Sequence, residues 1–179
     1  MRIATGFAGR EAAIVALFAT TFADSDGADE GARIGGLVRD LLADTPAADI
    51  RVFRTEEGGQ VIGAVVFTRL RYSDDQRRVV LLSPLAVAPA RQRRGVGRSL
   101  LLHALEALRS EGVEVALTYG DPGYYRRVGF MPITEEQARA PLPLSLPHGW
   151  LGRPLGPGPM PLILGASTCV PALDRADIW

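Results

Sequence analysis

There is no lysine in this chain and no asparagine: all 20 basic residues are arginine, set against 20 acidic ones in 179 residues. Two motif families are excluded at once. A phosphate-binding P-loop needs its lysine to reach the β/γ-phosphates, and N-glycosylation needs an acceptor asparagine. Net charge is absent too, at +0 with a pI near 6.7. No chain-wide field is available to hold nucleic acid or an anionic membrane, so neither partner is expected and any cationic site must be local. Cysteine is almost missing. Cys169 alone excludes an intrachain disulfide framework, and His103 and His148 have no ligand-like spacing to it, so no metal site is expected. Residues 154–173 carry no charge, but Pro154, Pro157, Pro159, Pro161 and Pro171 forbid a continuous helix, and no membrane span is expected there. The stretch Ala12 to Ala19 superficially resembles a signal-peptide core. Arg10 and Glu11 adjoin it, however, and cleavage would remove a plausible first strand and helix, so a cytoplasmic location fits better.

What is present is ordinary for a globular protein: 47% hydrophobic and 22% charged residues. The length suits one domain over residues 1–179, with a core over 1–133 and a Pro/Gly-rich extension over 134–179. Met1 to Thr5 reads as a strand, and Glu11 to Phe22 has helical spacing in Ile14, Leu17, Phe18 and Phe22. Asp24 to Glu30 reads as an acidic connector, and Ala32 to Leu42 as a second amphipathic helix. Arg51 to Thr55 and Gln60 to Tyr72 predict a hairpin about Glu57-Gly58-Gly59, followed by a polar turn over Ser73 to Arg77. The apolar run Arg78 to Ala88 predicts a central strand, with a bulge or a parting of neighbouring strands near Ser83-Pro84-Leu85, because proline cannot donate to a ladder. A helix is expected over Gly95 to Ser110 and a strand over Val113 to Thr118. Asp121 and Pro122 read as N-cap and first residue of a short helix that Gly129 stops. Phe130 to Ile133 and Met160 to Leu164 are the remaining strand candidates.

Chemistry concentrates where the central strand meets the third helix. Gly95 and Gly97 allow close backbone approach to a ligand, and the first-turn amides of the helix face outward at the positive end of its dipole. Arg91, Arg93, Arg94 and Arg98 add four guanidinium groups within eight residues. This is an anion socket suited to several phosphates on one ligand.

The segment Gln92-Arg93-Arg94-Gly95-Val96-Gly97 resembles the Q/R-x-x-G-x-G/A signature of the GNAT superfamily of acetyl-CoA-dependent N-acetyltransferases, in the same strand, loop and helix context. Tyr125-Arg126-Arg127-Val128-Gly129-Phe130, with Tyr124 before it, is similar to the aromatic-Tyr-x-x-x-Gly-Phe segment closing that family's core. The likeness covers residues 1 to 133 in element order. It implies a single-domain α/β GNAT fold: a mixed, twisted sheet of about six or seven strands, about four flanking helices, and two central parallel strands splayed to admit a pantetheine arm. Backbone at Leu85, Ala86 and Val87 would pair with pantetheine. Amides of Gln92, Arg93, Arg94, Gly95, Val96 and Gly97 would hold the pyrophosphate, and Arg91 or Arg98 would reach the adenosine 3′-phosphate.

The implied reaction is direct attack of a neutral amine on the thioester of acetyl-CoA. One backbone amide near Pro84 would stabilise the oxyanion, and Tyr125, by family position, would protonate the departing thiolate. The resemblance implies acetyl-CoA as co-substrate, a small-molecule or peptide amine as acceptor, and a possible homodimer. A CoA-binding regulatory protein of the same fold is the alternative. Many members place an asparagine where Tyr119-Gly120-Asp121-Pro122 stands here, and Asp121 has a sufficient structural reason as a helix cap. Asp24, Asp26 and Glu30 are acidic candidates for the base, although any solvated connector would show the same composition.

Other readings of these residues are weaker. The third glycine of a dinucleotide-binding fingerprint is Leu100 here, which argues against a nicotinamide enzyme. The arginines as a nucleic-acid patch would leave the glycines unexplained. His103 lies on the polar face of its helix, and Cys169 with His148 lacks an orienting signature for a nucleophile and base.

Overall fold

A computed structural model describes residues 1–179. The chain groups into two compact units, Met1–Phe67 with Pro84–Ala104, and Thr68–Ser83 with Leu105–Trp179. The chain passes from one unit to the other within two strands and one helix.

In the first unit, β1 (Arg2–Thr5) pairs antiparallel with β2 (Ile50–Glu57) in the register Ile3↔Thr55. The chain turns from β2 into β3 (Gln60–Tyr72) through Gly58 and Gly59, whose φ values of 56° and 80° match the two-residue hairpin turn that favours glycine at both central positions. Helices α1 (Glu11–Asp26) and α2 (Ala28–Asp44) pack on one another. The expected acidic connector over Asp24 to Glu30 is therefore not a loop. Gly27 alone separates the helices, its φ of 97° redirecting the chain within a single residue. Asp29 and Glu30 fall in the first turn of α2, where carboxylates meet the positive end of the dipole. Small residues let the helices approach closely: a Cβ on Gly31 would stand 2.5 Å from the Ala19 carbonyl oxygen and 2.6 Å from Ala23 Cβ. Apolar positions at helical spacing, Ile14, Phe18, Val38 and Leu41, are all fully buried. Helix α3 (Val96–Ser110) opens in this unit, its Val96 and Leu100 lying over Gly63.

In the second unit, β4 (Asp75–Val87) and β5 (Val115–Tyr119) run parallel. The β3–β4 turn is shorter than expected, only Ser73-Asp74, because β4 already starts at Asp75. A short helix, α4 (Pro122–Tyr125), precedes β6 (Met131–Pro132). Strand β7 (Trp150–Pro154) pairs antiparallel with both β5 and β6 and so lies between them, while β8 (Ser167–Thr168) pairs with β3. The expected strand over Met160 to Leu164 does not form. Pro161 within that run cannot donate to a ladder, and only Ile163 turns inward, with Leu162 and Leu164 exposed on either side. Trp150 makes the Pro/Gly-rich segment part of the core: it is fully buried, donates from Nε1 to the Ala138 carbonyl at 2.8 Å, and packs edge-on against Trp179. The fold is mixed α/β with eight strands and four α-helices, and the count exceeds six or seven because two of the strands are two residues long.

Candidate active site

The end of β4 and the loop after it belong to the first unit. Ala88 donates its amide to the Ile62 carbonyl on β3 at 2.9 Å. Residues in an antiparallel ladder alternate in the side to which their polar backbone groups turn, so Ala86 and Ala88 face β3 while the groups of Leu85 and Val87 turn away. The Val87 carbonyl is already engaged, accepting from Gln92 Nε2 at 3.0 Å and from Thr21 Oγ1 at 3.5 Å. Leu85, on both its amide and its carbonyl, and the Val87 amide remain as the outward-turned edge.

Beyond Val87, a 3₁₀ turn over Pro89–Arg91 leads to Gln92, whose amide donates to Pro89 at 3.3 Å. Gln92 is thus occupied with holding the turn to the strand. Arg91 pairs with Glu57. Arg93, Arg94 and Arg98 are exposed and pair with no acidic side chain. Arg93 has a φ of 58°, uncommon for a residue with a side chain, and Gly95 follows at 79°. These turns aim successive amides outward. The amides of Val96, Gly97 and Arg98 open α3 and have no intrahelical acceptor. A Cβ on Gly95 would meet nothing within 4 Å, so the space outside the turn is open. Free amides, three unpaired guanidinium groups and open space fit a polyphosphate.

The second unit holds the other group of residues. The β4–β5 ladder runs from Val79↔Val115 to Leu82↔Thr118 and stops there, although β4 continues beyond Leu82. The last rung lies one residue before β5 itself ends at Tyr119. Thr118 is 1% exposed, and its Oγ1 donates to the Leu82 carbonyl at 3.0 Å across the last rung. Val115, Ala116, Leu117 and Thr118 are all buried, because β5 is paired on both edges and covered on both faces.

Tyr125 lies in α4, the short helix that follows β5. Its ring packs edge-on to Phe130 and Tyr124 at 5.7 and 5.2 Å, and a Cβ on Gly120 would stand 2.8 Å from its Cε2. Burial pushes the Tyr125 hydroxyl well above the usual phenol range, and hydrogen bonding with Thr118 opposes that rise. Tyr125 therefore stays protonated at neutral pH. Tyr124 is also raised by burial, to which Arg127 is opposed. Asp121 accepts the Gly123 amide on Oδ1 at 2.8 Å, the cap expected of it, and Gly129 ends the turn at a φ of 85°. Sequence reasoning missed Thr118 and Gly120. The only signal for either was a threonine in an apolar strand and a glycine directly after it.

The remaining candidates are not drawn together. Asp24 and Asp26 are exposed in the last turn of α1, and Glu30 pairs with Arg33. His103 is exposed and lies edge-on to Phe53 at 6.3 Å. Cys169 is half-buried with its thiol pushed up to about 11, chiefly by burial and then by Asp174, so it is a poor nucleophile at neutral pH.

Comparison with known proteins bears on both groups of residues. The sequence pattern of the acetyltransferase (GNAT) domain matches residues 48–132. The chain is 33% identical over 131 residues to the protein called uncharacterized N-acetyltransferase YjhQ of Escherichia coli (strain K12), covering 70% of this chain and 72% of that protein. It is similar to the crystal structure of a GNAT family acetyltransferase from Brucella melitensis in complex with acetyl-CoA, with a TM-score of 0.75 and 25% identity over 97% of each chain. The fold is also that of the GNAT family N-acetyltransferase YhbS from Escherichia coli, solved in complex with CoA, with a TM-score of 0.83 and 24% identity over 98% of this chain and 92% of that one. No helix is long and apolar enough to cross a membrane. With its ladder end, its open amide turn and these likenesses together, the chain belongs to the GNAT family of acetyltransferases.

Proposed function

We propose that this protein moves an acetyl group from acetyl-CoA to an amine by direct attack, with Tyr125 as the proton donor to the departing thiolate. The observation that carries the reading is the end of the β4–β5 ladder at Leu82↔Thr118, with a half-buried, protonated tyrosine in the short helix that follows β5. The crystal structures of the Brucella melitensis acetyltransferase with acetyl-CoA and of YhbS with CoA support the choice of co-substrate.

Each residue then has a task set by its own surroundings. The outward-turned backbone of Leu85 and Val87 offers strand-like pairing to pantetheine amides, with Ala86 between them turned to β3. Because the Val87 carbonyl is already taken, pairing there is limited to its amide. The amides of Arg93, Arg94, Gly95, Val96 and Gly97 receive the pyrophosphate at the start of α3, and Arg93, Arg94 and Arg98 supply charge. Arg98 is the better of the two candidates for the 3′-phosphate, since Arg91 is held by Glu57. When bound, acetyl-CoA supplies an activated carbonyl, and an amide next to Pro84 is the donor for its developing oxyanion. Tyr125 keeps its proton until the thiolate leaves.

The test is free-thiol release from acetyl-CoA with n-butylamine, tyramine, spermidine and triglycine as acceptors, with acetyl-CoA binding measured separately by calorimetry. Binding with release from at least one acceptor is expected. Binding with no release from any of them would overturn transfer in favour of a CoA-binding regulatory protein, and absence of binding would overturn both.

A further inference from the structure

Gly120 follows the last residue of β5, Tyr119, and precedes the Asp121 cap of α4. On one side its place is fixed by the segment before β7. The Gly120 amide donates to the Gly149 carbonyl at 2.9 Å, and next to it the Tyr119 hydroxyl accepts from the Leu146 amide at 2.6 Å. A Cβ on Gly149 would stand 3.1 Å from the Gly120 carbonyl oxygen, so the two backbones leave no slack between them. On the other side stands the Tyr125 ring. A Cβ on Gly120 would lie 2.8 Å from Cε2, the ring carbon next to the one that bears the hydroxyl. The ring itself is boxed in, edge-on to Phe130 and Tyr124 at 5.7 and 5.2 Å. Its backbone is tied at both ends, the amide donating to the Asp121 carbonyl and the carbonyl accepting from the Phe130 amide, each at 3.2 Å. Ordinary carbon contact begins at about 3.5 Å, so a methyl on Gly120 would drive the hydroxyl half of the ring off by about 0.7 Å. The backbone does not call for glycine here, since Gly120 is not among the glycines at positive φ. What the missing side chain leaves room for is the ring.

We propose that Gly120 is a positioning residue for Tyr125: having no side chain, it lets the hydroxyl half of the ring settle against the backbone just beyond β5, and with Phe130 and Tyr124 it fixes where the proton donor points. The inference rests on the reading of Tyr125 as proton donor. It also gives the Pro/Gly-rich extension a part in the site, because Leu146 and Gly149 hold Tyr119 and Gly120 in place from behind.

The experiment is a double-mutant cycle on thiol release from acetyl-CoA, with the most active acceptor of n-butylamine, tyramine, spermidine and triglycine. Active sites are counted by calorimetric titration with acetyl-CoA, so that kcat refers to folded protein. Gly120→Ala should lower kcat about 10- to 100-fold, the usual cost of misplacing a reacting group by a fraction of an ångström to one ångström. KM for acetyl-CoA should stay within about twofold, since an interaction used only in the transition state is lost. In a Tyr125→Phe background Gly120→Ala should have little further effect, because no hydroxyl is left to misplace. Unchanged kcat in Gly120→Ala, or an equal loss in both backgrounds, would overturn the positioning role while leaving Tyr125 its own. Undiminished turnover in Tyr125→Phe, or no thiol release from wild type with any of the four acceptors, would remove the reading beneath it. Should Gly120→Ala not fold, Gly149→Ala, whose methyl presses on the Gly120 carbonyl, takes its place in the cycle and is judged by the same outcomes.

Discussion

Gln92 donates from Nε2 to the carbonyl of Val87 at 3.0 Å, tying the turn before α3 to the end of β4. The first residue of the glycine-containing signature thus has a structural task, while Arg93, Arg94 and Arg98 pair with no acidic side chain. Binding and scaffolding are divided among neighbouring residues. Charge removal at the arginines should cost affinity without loosening the fold.

That division gives the first expected outcome. Combined replacement of Arg93, Arg94 and Arg98 by alanine should raise the Kd for acetyl-CoA at least about tenfold, with charge-assisted bonds worth roughly 1.5–3 kcal/mol each. The melting temperature should change little, because exposed charges without partners contribute little stability. Calorimetric titration and thermal unfolding read the two quantities separately, and a large fall in melting temperature would argue against the division.

Tyr125→Phe should reduce kcat by roughly 100-fold or more, the usual contribution of a general acid. Acetyl-CoA affinity should be nearly unchanged, because the ring contacts with Phe130 and Tyr124 survive. Steady-state kinetics beside a binding isotherm checks the split.

Gly31→Ala tests the close approach of α1 and α2. The nearest atom to the added methyl would be the Ala19 carbonyl oxygen at 2.5 Å, which is backbone and cannot swing aside. A loss of about 1–3 kcal/mol is expected in denaturant unfolding, the usual cost of overpacking. Gly36→Ala, where a Cβ meets nothing within 4 Å, is the control and should be neutral or slightly stabilising.

Trp150→Ala should cost about 3–5 kcal/mol by opening a cavity where the largest fully buried side chain now stands, and it leaves the Ala138 carbonyl without its donor. Chemical denaturation measures it. A change below about 1 kcal/mol would mean that the segment after residue 134 is not part of the core.

Cys169 gives a pH-dependent outcome. Its thiol is raised from 9.0 to about 11 by burial and Asp174, so the native state holds a proton that the unfolded state loses first. Above pH 9 the unfolded chain binds fewer protons, and the contribution to stability, full below pH 9, is lost as pH rises to about 11. Cys169→Ala should flatten the unfolding free energy across that window relative to wild type. At pH 8, native Cys169 should alkylate with iodoacetamide much more slowly than the same residue in urea.

Much of this was legible in the letters. Glycine and proline at particular spacings carry backbone instructions that need no partner, so the Gly58-Gly59 hairpin, the Asp121 cap and the Gly129 stop could be read directly. The turn into α3 and its exposed arginines were legible for the same reason, since a helix start and a run of arginines are local properties. The acidic stretch around Gly27 misled, because polar composition resembles a loop whether or not one glycine suffices to turn two helices.

Sequence alone determined the family and the local turns, since both depend on neighbours along the chain. Tertiary structure alone decided that Trp150–Pro154 lies between β5 and β6, that Thr118 is buried against Leu82, and that Met160 to Leu164 stays irregular. The physical reason is that a strand's place and a hydroxyl's partner are settled by pairing between distant residues. Periodicity within one segment does not encode which edge it will find.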